Sequence, residues 1–194
     1  MCVVLLVTML LCTLRVSWAY SNGLVAVVCD TMTPGHIGTT PQNSTPPFQI
    51  RVSNSSYSPG ATITVTLEAL RNDTPFEGFL LLARTTGSSM AGGYFSSTNN
   101  NLFRLLDCFS MKNSAISHSS SAPKTQFEAK WTAPLISVGN ITFCATFVHD
   151  YTTYWTMVGS NVVSDATVNK VTAVVMCLCV LTALTAISRS LSPF

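Results

Sequence analysis

The stretch ATITVTL, residues 61 to 67, alternates without a break, with Ile63, Val65 and Leu67 on one side and Thr62, Thr64 and Thr66 on the other. Successive side chains of an extended strand point to opposite faces, so a period of two places the aliphatic groups on a core and the hydroxyls on the far face. Tyr57-Ser58-Pro59-Gly60, just before it, reads as a turn, because proline fixes φ and glycine accepts a positive φ. The pattern recurs in FEAKW (127–131), where Phe127, Ala129 and Trp131 share a face, and in GNITFCATFV (139–148), where Ile141, Phe143, Ala145 and Phe147 do. FLLLAR (79–84) is instead a continuous apolar run, as a strand covered on both faces would be. From Tyr20 to about Val163 no long stretch has helical periodicity, and Pro, Gly, Ser, Thr and Asn recur between the apolar runs. Several short strands with turns between them predict an all-β fold, a two-sheet β-sandwich over residues 20–163.

The two ends read differently. The chain has 194 residues, 47% of them hydrophobic and 9% charged, more apolar sequence than one such domain needs. Val3 to Leu14 is an apolar run of leader length, followed by Ser17-Trp18-Ala19 with small residues where a cleavage site needs them. Residues 1–19 are therefore expected to be a signal peptide, although no Lys or Arg precedes the run. At the other end Val171 to Ser188 carries no charge and is bracketed by Lys170 and Arg189. Residues 164–170 read as a juxtamembrane spacer, 171–188 as a transmembrane helix or a lipid-anchor signal, and 189–194 as a short tail. For an anchor, Gly159-Ser160-Asn161 or Ser164-Asp165-Ala166 would supply the attachment site. Four N-x-Ser/Thr sequons, at Asn43, Asn54, Asn72 and Asn140, suit a glycosylated ectodomain, while Pro46 and Pro75 disfavour use of two of them. The expected location is the secretory pathway and the cell surface, with the β domain outside and a secreted form as the variant. A net charge of +2 without a basic cluster argues against nucleic acid as a partner.

Of seven cysteines, Cys2 and Cys12 fall in the leader and Cys177 and Cys179 in the C-terminal apolar run. Cys29, Cys108 and Cys144 remain, enough for one disulfide and one leftover thiol in an oxidising compartment. Cys29 with Cys108 is the preferred pair, since it ties the leading segment to the body of the sandwich and contributes about 2–4 kcal/mol. Cys144 shares its parity with Thr142 and Thr146 and so faces away from the main core. An unpaired small residue on a strand is the plainer reading of it; a disulfide-linked dimer or a modified thiol is the other.

His36, His118 and His149 have no metal-ligand spacing and read as surface or turn residues. Tyr151, Tyr154 and Trp155 form the aromatic cluster of most interest, either lining a binding face or closing the end of the sandwich core. There is no Gly-x-Ser-x-Gly elbow and no glycine-rich phosphate loop, so no enzyme is expected, and no cofactor or metal.

The order of several motifs is similar to the reeler (reelin amino-terminal) domain, found in reelin, the spondins, insect defence proteins and the ferric-chelate reductase family. The resemblance is carried by Cys29-Asp30-Thr31-Met32-Thr33-Pro34-Gly35-His36, by Tyr57-Ser58-Pro59-Gly60 leading into ITVTL, and by Phe76-Glu77-Gly78 leading into FLLLAR. It continues through Leu105-Leu106-Asp107-Cys108, Ser117-His118-Ser119, Phe127 to Pro134, and Tyr154-Trp155. The resemblance implies an immunoglobulin-like β-sandwich and a family-type disulfide between Cys29 and Cys108. Cys144 departs from the family pattern, which often has Arg there, and an outward position that tolerates Arg implies an exposed thiol. The reductases carry a DOMON domain and a haem-bearing membrane cytochrome beyond the reeler domain, and one apolar segment offers no place for such a haem. The expected function is a non-catalytic extracellular recognition module for a protein or glycan, with a role in innate defence by analogy. The alternative is an accessory or truncated relative of the reductases in iron handling. An adhesion module for sulfated glycans suits the weak net charge least.

Overall fold

The computed structural model of the protein describes residues 21–85, 87, 90–96, 103–167, 175, 176 and 178. The signal peptide 1–19, spacer residues 168–170, nearly all of 171–188 and the tail 189–194 lie outside the described residues. Among the described residues no helix is long and apolar enough to cross a membrane.

The strands are β1 (Phe48–Val52), β2 (Ser56–Tyr57), β3 (Thr62–Ala69), β4 (Gly78–Thr85), β5 (Tyr94–Ser96), β6 (Phe103–Cys108), β7 (Met111–His118), β8 (Gln126–Thr132), β9 (Ile141–Val148), β10 (Tyr154–Gly159) and β11 (Ser164–Asp165). One sheet has the order β1-β3-β8-β5, and the sheet facing it β10-β9-β4-β7-β6. A two-residue parallel pair joins β11 to β2. The all-β sandwich and the four strands read from alternation or apolar content are thus present. β11 carries the folded domain to Asp165, two residues into the stretch expected to be a spacer, because Asp165 is buried there at 1% exposure.

The register explains the alternation. Opposite residues of an antiparallel pair share a face, and Ile63, Val65 and Leu67 of β3 lie across from Trp131, Ala129 and Phe127 of β8. These meet Phe79, Leu81, Phe143 and Phe147 from the facing sheet in the main core. Phe147 stacks on Phe48 at 4.8 Å and meets the edge of Phe76 at 5.3 Å.

β4 lies at the centre of its sheet and is buried from Gly78 to Arg84. Phe79, Leu81 and Ala83 face the main core, whereas Leu80 and Leu82 point outward and join Leu106 and Ala115 in a second apolar cluster. What covers that outer face is the leading segment, residues 21–39, which contributes Val25, Cys29 and Met32. A 3-10 turn over Ala26–Val28 is the one regular element in it. The Cys29–Cys108 disulfide fastens it to the end of β6. Arg84 Nη2 donates to the carbonyls of Cys29 (3.1 Å) and Asp30 (2.9 Å), and the Thr146 hydroxyl donates to Met32 O. Gly23 (φ +71°) lies so close to the end of β7 that a Cβ would meet His118 O, so a side chain there would lift the segment off the sheet.

This cover corrects the expectation for Cys144. Its parity puts it on the outer face as expected, but that face is occupied: Cys144 is half-buried against the second cluster, not exposed. Burial pushes its thiol pKa up, with the Arg84 charge opposing, so the reactive thiolate is scarce at neutral pH.

Candidate functional site

A cavity of about 210 Å³ remains between the leading segment and the outer face of the five-stranded sheet. Gly78, Phe79 and Leu80 of β4 and Thr146 and Val148 of β9 form its floor, and Val25, Val28 and Met32 its roof. His36, Tyr151 and His118 stand at its edge. It exists because the segment is held at discrete points: the disulfide and Arg84 clamp Cys29 and Asp30, and Thr146 holds Met32. An enclosed apolar cavity of about 150 Å³ takes up a benzene ring, and this pocket, partly open to solvent and edged also by Glu77 and Ser121, has the volume for a single ring or a short alkyl chain.

His118 is 8% exposed, and its position depends on glycine: a Cβ on Gly78 would come within 3.0 Å of the ring. His118 Nδ1 lies 3.1 Å from both the N–H and the carbonyl oxygen of Phe79, accepting from the first in one tautomer and donating to the second in the other. Ser117 Oγ lies 3.2 Å from the same nitrogen but donates to Phe79 O at 2.7 Å and is fully buried. This Ser–His neighbourhood is therefore a clasp on β4: the Ser117 hydroxyl proton is committed to the Phe79 carbonyl, and the His118 Nδ1 to the Phe79 backbone.

His36 stacks on Tyr151 at 4.5 Å and meets Tyr154 edge-on at 5.5 Å. Its Nδ1 is buried without a hydrogen-bond partner among the described residues. Burial holds the ring below the usual histidine pKa, against the Tyr151 backbone and the Asp150 carboxylate, which pull the other way. Asp150 organises the turn carrying Tyr151, accepting from the N–H groups of Thr152 (2.8 Å) and Thr153 (2.9 Å). Because the folded His36 titrates below 6.5, the unfolded chain takes up the proton first. The contribution of His36 is fully present above pH 6.5 and is lost as pH falls through the lower folded value. Thermal midpoints between pH 7.5 and 5 should fall for the native protein, and less for His36→Phe, which keeps the stack and cannot titrate. Equal slopes would show that His36 is not the titrating group.

The structure divides the aromatic cluster. Tyr151 is 39% exposed at the cavity edge, but Tyr154 and Trp155 are buried at 1% and 8%. Trp155 belongs to the main core and donates its indole N–H to Ser44 O at 3.0 Å, while Gln42 N–H donates to Tyr154 O. Residues 39–44 thus wrap the edge of the sheet, and these two rings close the sandwich end. The three do not form one surface. Asn43, Asn54, Asn72 and Asn140 are all exposed. Among the described residues no three His, Cys, Asp or Glu side chains gather where they could hold a metal ion. Sequence reasoning missed the cavity and the role of His36 in it, since its stacking partner lies 115 positions away and no spacing announces the contact.

The family model for the Reeler domain matches residues 27–171. The chain is 42% identical over 146 residues to "Putative ferric-chelate reductase 1" of Danio rerio, a match covering 75% of this chain and 25% of that protein. It is 33% identical over 147 residues to "Putative defense protein 3" of Antheraea mylitta, covering 76% of this chain and 87% of that protein. The human F-spondin reeler domain superposes with a TM-score of 0.55 at 20% identity, covering 66% of this chain and 94% of the domain. The chain spans about a quarter of the length of the reductases it matches and most of the defense protein.

Proposed function

The chain belongs to the reeler domain family, and on that footing we propose that it is a non-catalytic extracellular recognition module held at the cell surface by residues 171–188. The observation that carries this reading is the cavity under the leading segment: a preformed, largely apolar site with a few polar groups at its edge, beside which the Ser117 hydroxyl is committed to the Phe79 carbonyl. Its occupant is the alkyl or aromatic part of an extracellular ligand, with His36 and Tyr151 at the entrance. A role in defence is supported by the similarity to a relative named as a putative defense protein. The half-buried position of Cys144 supports an unpaired thiol over a link to a second chain.

A helix suits the C-terminal run better than a lipid anchor. Both candidate attachment triplets start on strands, at Gly159 of β10 and Ser164 of β11, and processing at either would remove or cut β11. Its Asp165 carboxylate accepts from Ser137 and Thr167, which outweigh burial and hold its pKa below the usual carboxylate range.

Titration with 1-octanol, followed by amide and methyl shifts, tests the site. Shifts should concentrate at Val25, Met32, Leu80 and Thr146, and Val28→Trp should reduce them by filling the cavity. Shifts spread evenly over the surface would overturn the assignment. The similarity to ferric-chelate reductases supports a second reading, an accessory to iron handling. In that case the chain isolated from cell membranes should bring with it a haem-bearing protein, seen as a Soret band.

A further inference from the structure

The connection from β8 to β9, residues 133–140, presents Leu135 at 86% and Ile136 at 79% exposure side by side. Fraying does not account for this, because the loop is pinned on both sides of the pair. Ala133 N–H donates to Ala61 O (2.8 Å), Gly60 N–H to Pro134 O (3.1 Å), and Tyr57 Oη–H to Gly139 O (2.6 Å). Leu135 shares a shallow depression with Tyr94, 48% exposed, and the exposed Lys112. Two aliphatic side chains, a tyrosine and a lysine make the combination that partitions to the boundary between lipid headgroups and acyl chains.

The position of the chain's exit makes the same end meaningful. Ser137, next to Ile136, donates to Asp165, and the Asp165 N–H donates to Asn140 Oδ1 at 3.2 Å, so β11 delivers the chain beside this loop. From Thr167 to Val171 there are four residue steps, at most about 14 Å of extended chain. An apolar run entering a bilayer at Val171 therefore brings the lipid surface within reach of Leu135 and Ile136.

We propose that the Leu135–Ile136 loop seats in the headgroup–acyl boundary of the bilayer that takes up residues 171–188. This rests on the membrane-tethered reading above. It also sets the orientation of the cavity. Thr85 pairs with Ile141 at the loop end of the β4–β9 pair and Gly78 with Val148 at the other, where the cavity lies. Seven steps of β9 separate them, roughly 24 Å, so the cavity faces away from the membrane.

The test uses the full chain carrying Thr142→Val, which removes the Asn140 sequon while leaving Asn140 Oδ1 to accept from the Asp165 N–H, in phosphatidylcholine nanodiscs containing a lipid spin-labelled near the headgroup. Methyl resonances of Leu135 and Ile136 should relax severalfold faster than those of Val27, an exposed residue of the leading segment. Leu135→Ser with Ile136→Ser should leave the fold unchanged and abolish retention of the loop at the lipid, read as slower relaxation of the Ala133 methyl. A chain that stays with the discs while Leu135 and Ile136 relax no faster than Val27 overturns this inference alone. A chain that does not stay with the discs overturns the tether and the inference together. Broadening that follows protein concentration instead of spin-labelled lipid identifies a second copy as the occupant and equally overturns it.

Discussion

Replacing Cys29 and Cys108 together with serine is expected to destabilise the protein by about 2–5 kcal/mol and to lower its thermal midpoint by roughly 5–15 °C. Part of the effect is general, since the bond links residues 79 positions apart and restricts the unfolded chain. Part is particular to this fold. Cys29 fastens the leading segment, and without it Leu80, Leu82, Leu106 and Cys144 lose their cover. Alkylation of Cys144 under native conditions separates the two. It should be slow in the parent, whose thiol is half-buried with a raised pKa, and fast in the double variant well below its melting temperature. A lowered midpoint with unchanged alkylation would mean that the Arg84 and Thr146 hydrogen bonds alone hold the segment in place.

Phe147→Ala should cost about 3–5 kcal/mol, the range for removing a fully buried ring. Phe147 is 0% exposed and lies between Phe48 and Phe76, so neighbours on both sides would lose contacts they have no room to replace. Tyr151→Ala should cost less than about 1 kcal/mol, because its ring is partly solvated and its partner His36 keeps the contact with Tyr154. Urea unfolding of both variants measures the difference. Comparable losses would contradict the division of the aromatic residues between core and cavity edge.

Most of the sandwich was legible because its signal is local. Ile63, Val65 and Leu67 declare a face within seven residues, and the continuous run of β4 declares that both its faces are covered. What covers the second face was not legible. The leading segment has no repeating pattern, and its place is fixed by a disulfide and by backbone carbonyls that receive Arg84 and Thr146 from distant strands. The parity of Cys144 therefore gave its face correctly, while the inferred exposure missed the layer above it. β7 was also hard to see, since MKNSAISH has little apolar character. Its Ser114 and Ser117 are buried because each hydroxyl serves a backbone group, Ser114 bonding to Cys108 and Ser117 to Phe79. The cavity arises from the same long-range placement, so residues singled out separately in the sequence, such as His36 and Tyr151, gave no sign that they meet at one site.

On the membrane-tethered reading proposed above, the short β11–β2 pair would also govern how the domain bears tension between a ligand and a membrane. A pull entering through the leading segment passes into β6 by a covalent bond. A pull from the C-terminal side is met by non-covalent contacts alone: hydrogen bonds from Ser164 N–H to Ser55 O, between Val163 and Ile141, from the Ser137 hydroxyl to Asp165 and from the Asp165 N–H to Asn140, and the burial of Val163 in the core. The C-terminal clasp is thus the fuse. When it slips, residues 160–167 release at most the difference between their extended length, roughly 25–30 Å, and the span they already cover, and Val163 leaves the main core as they do.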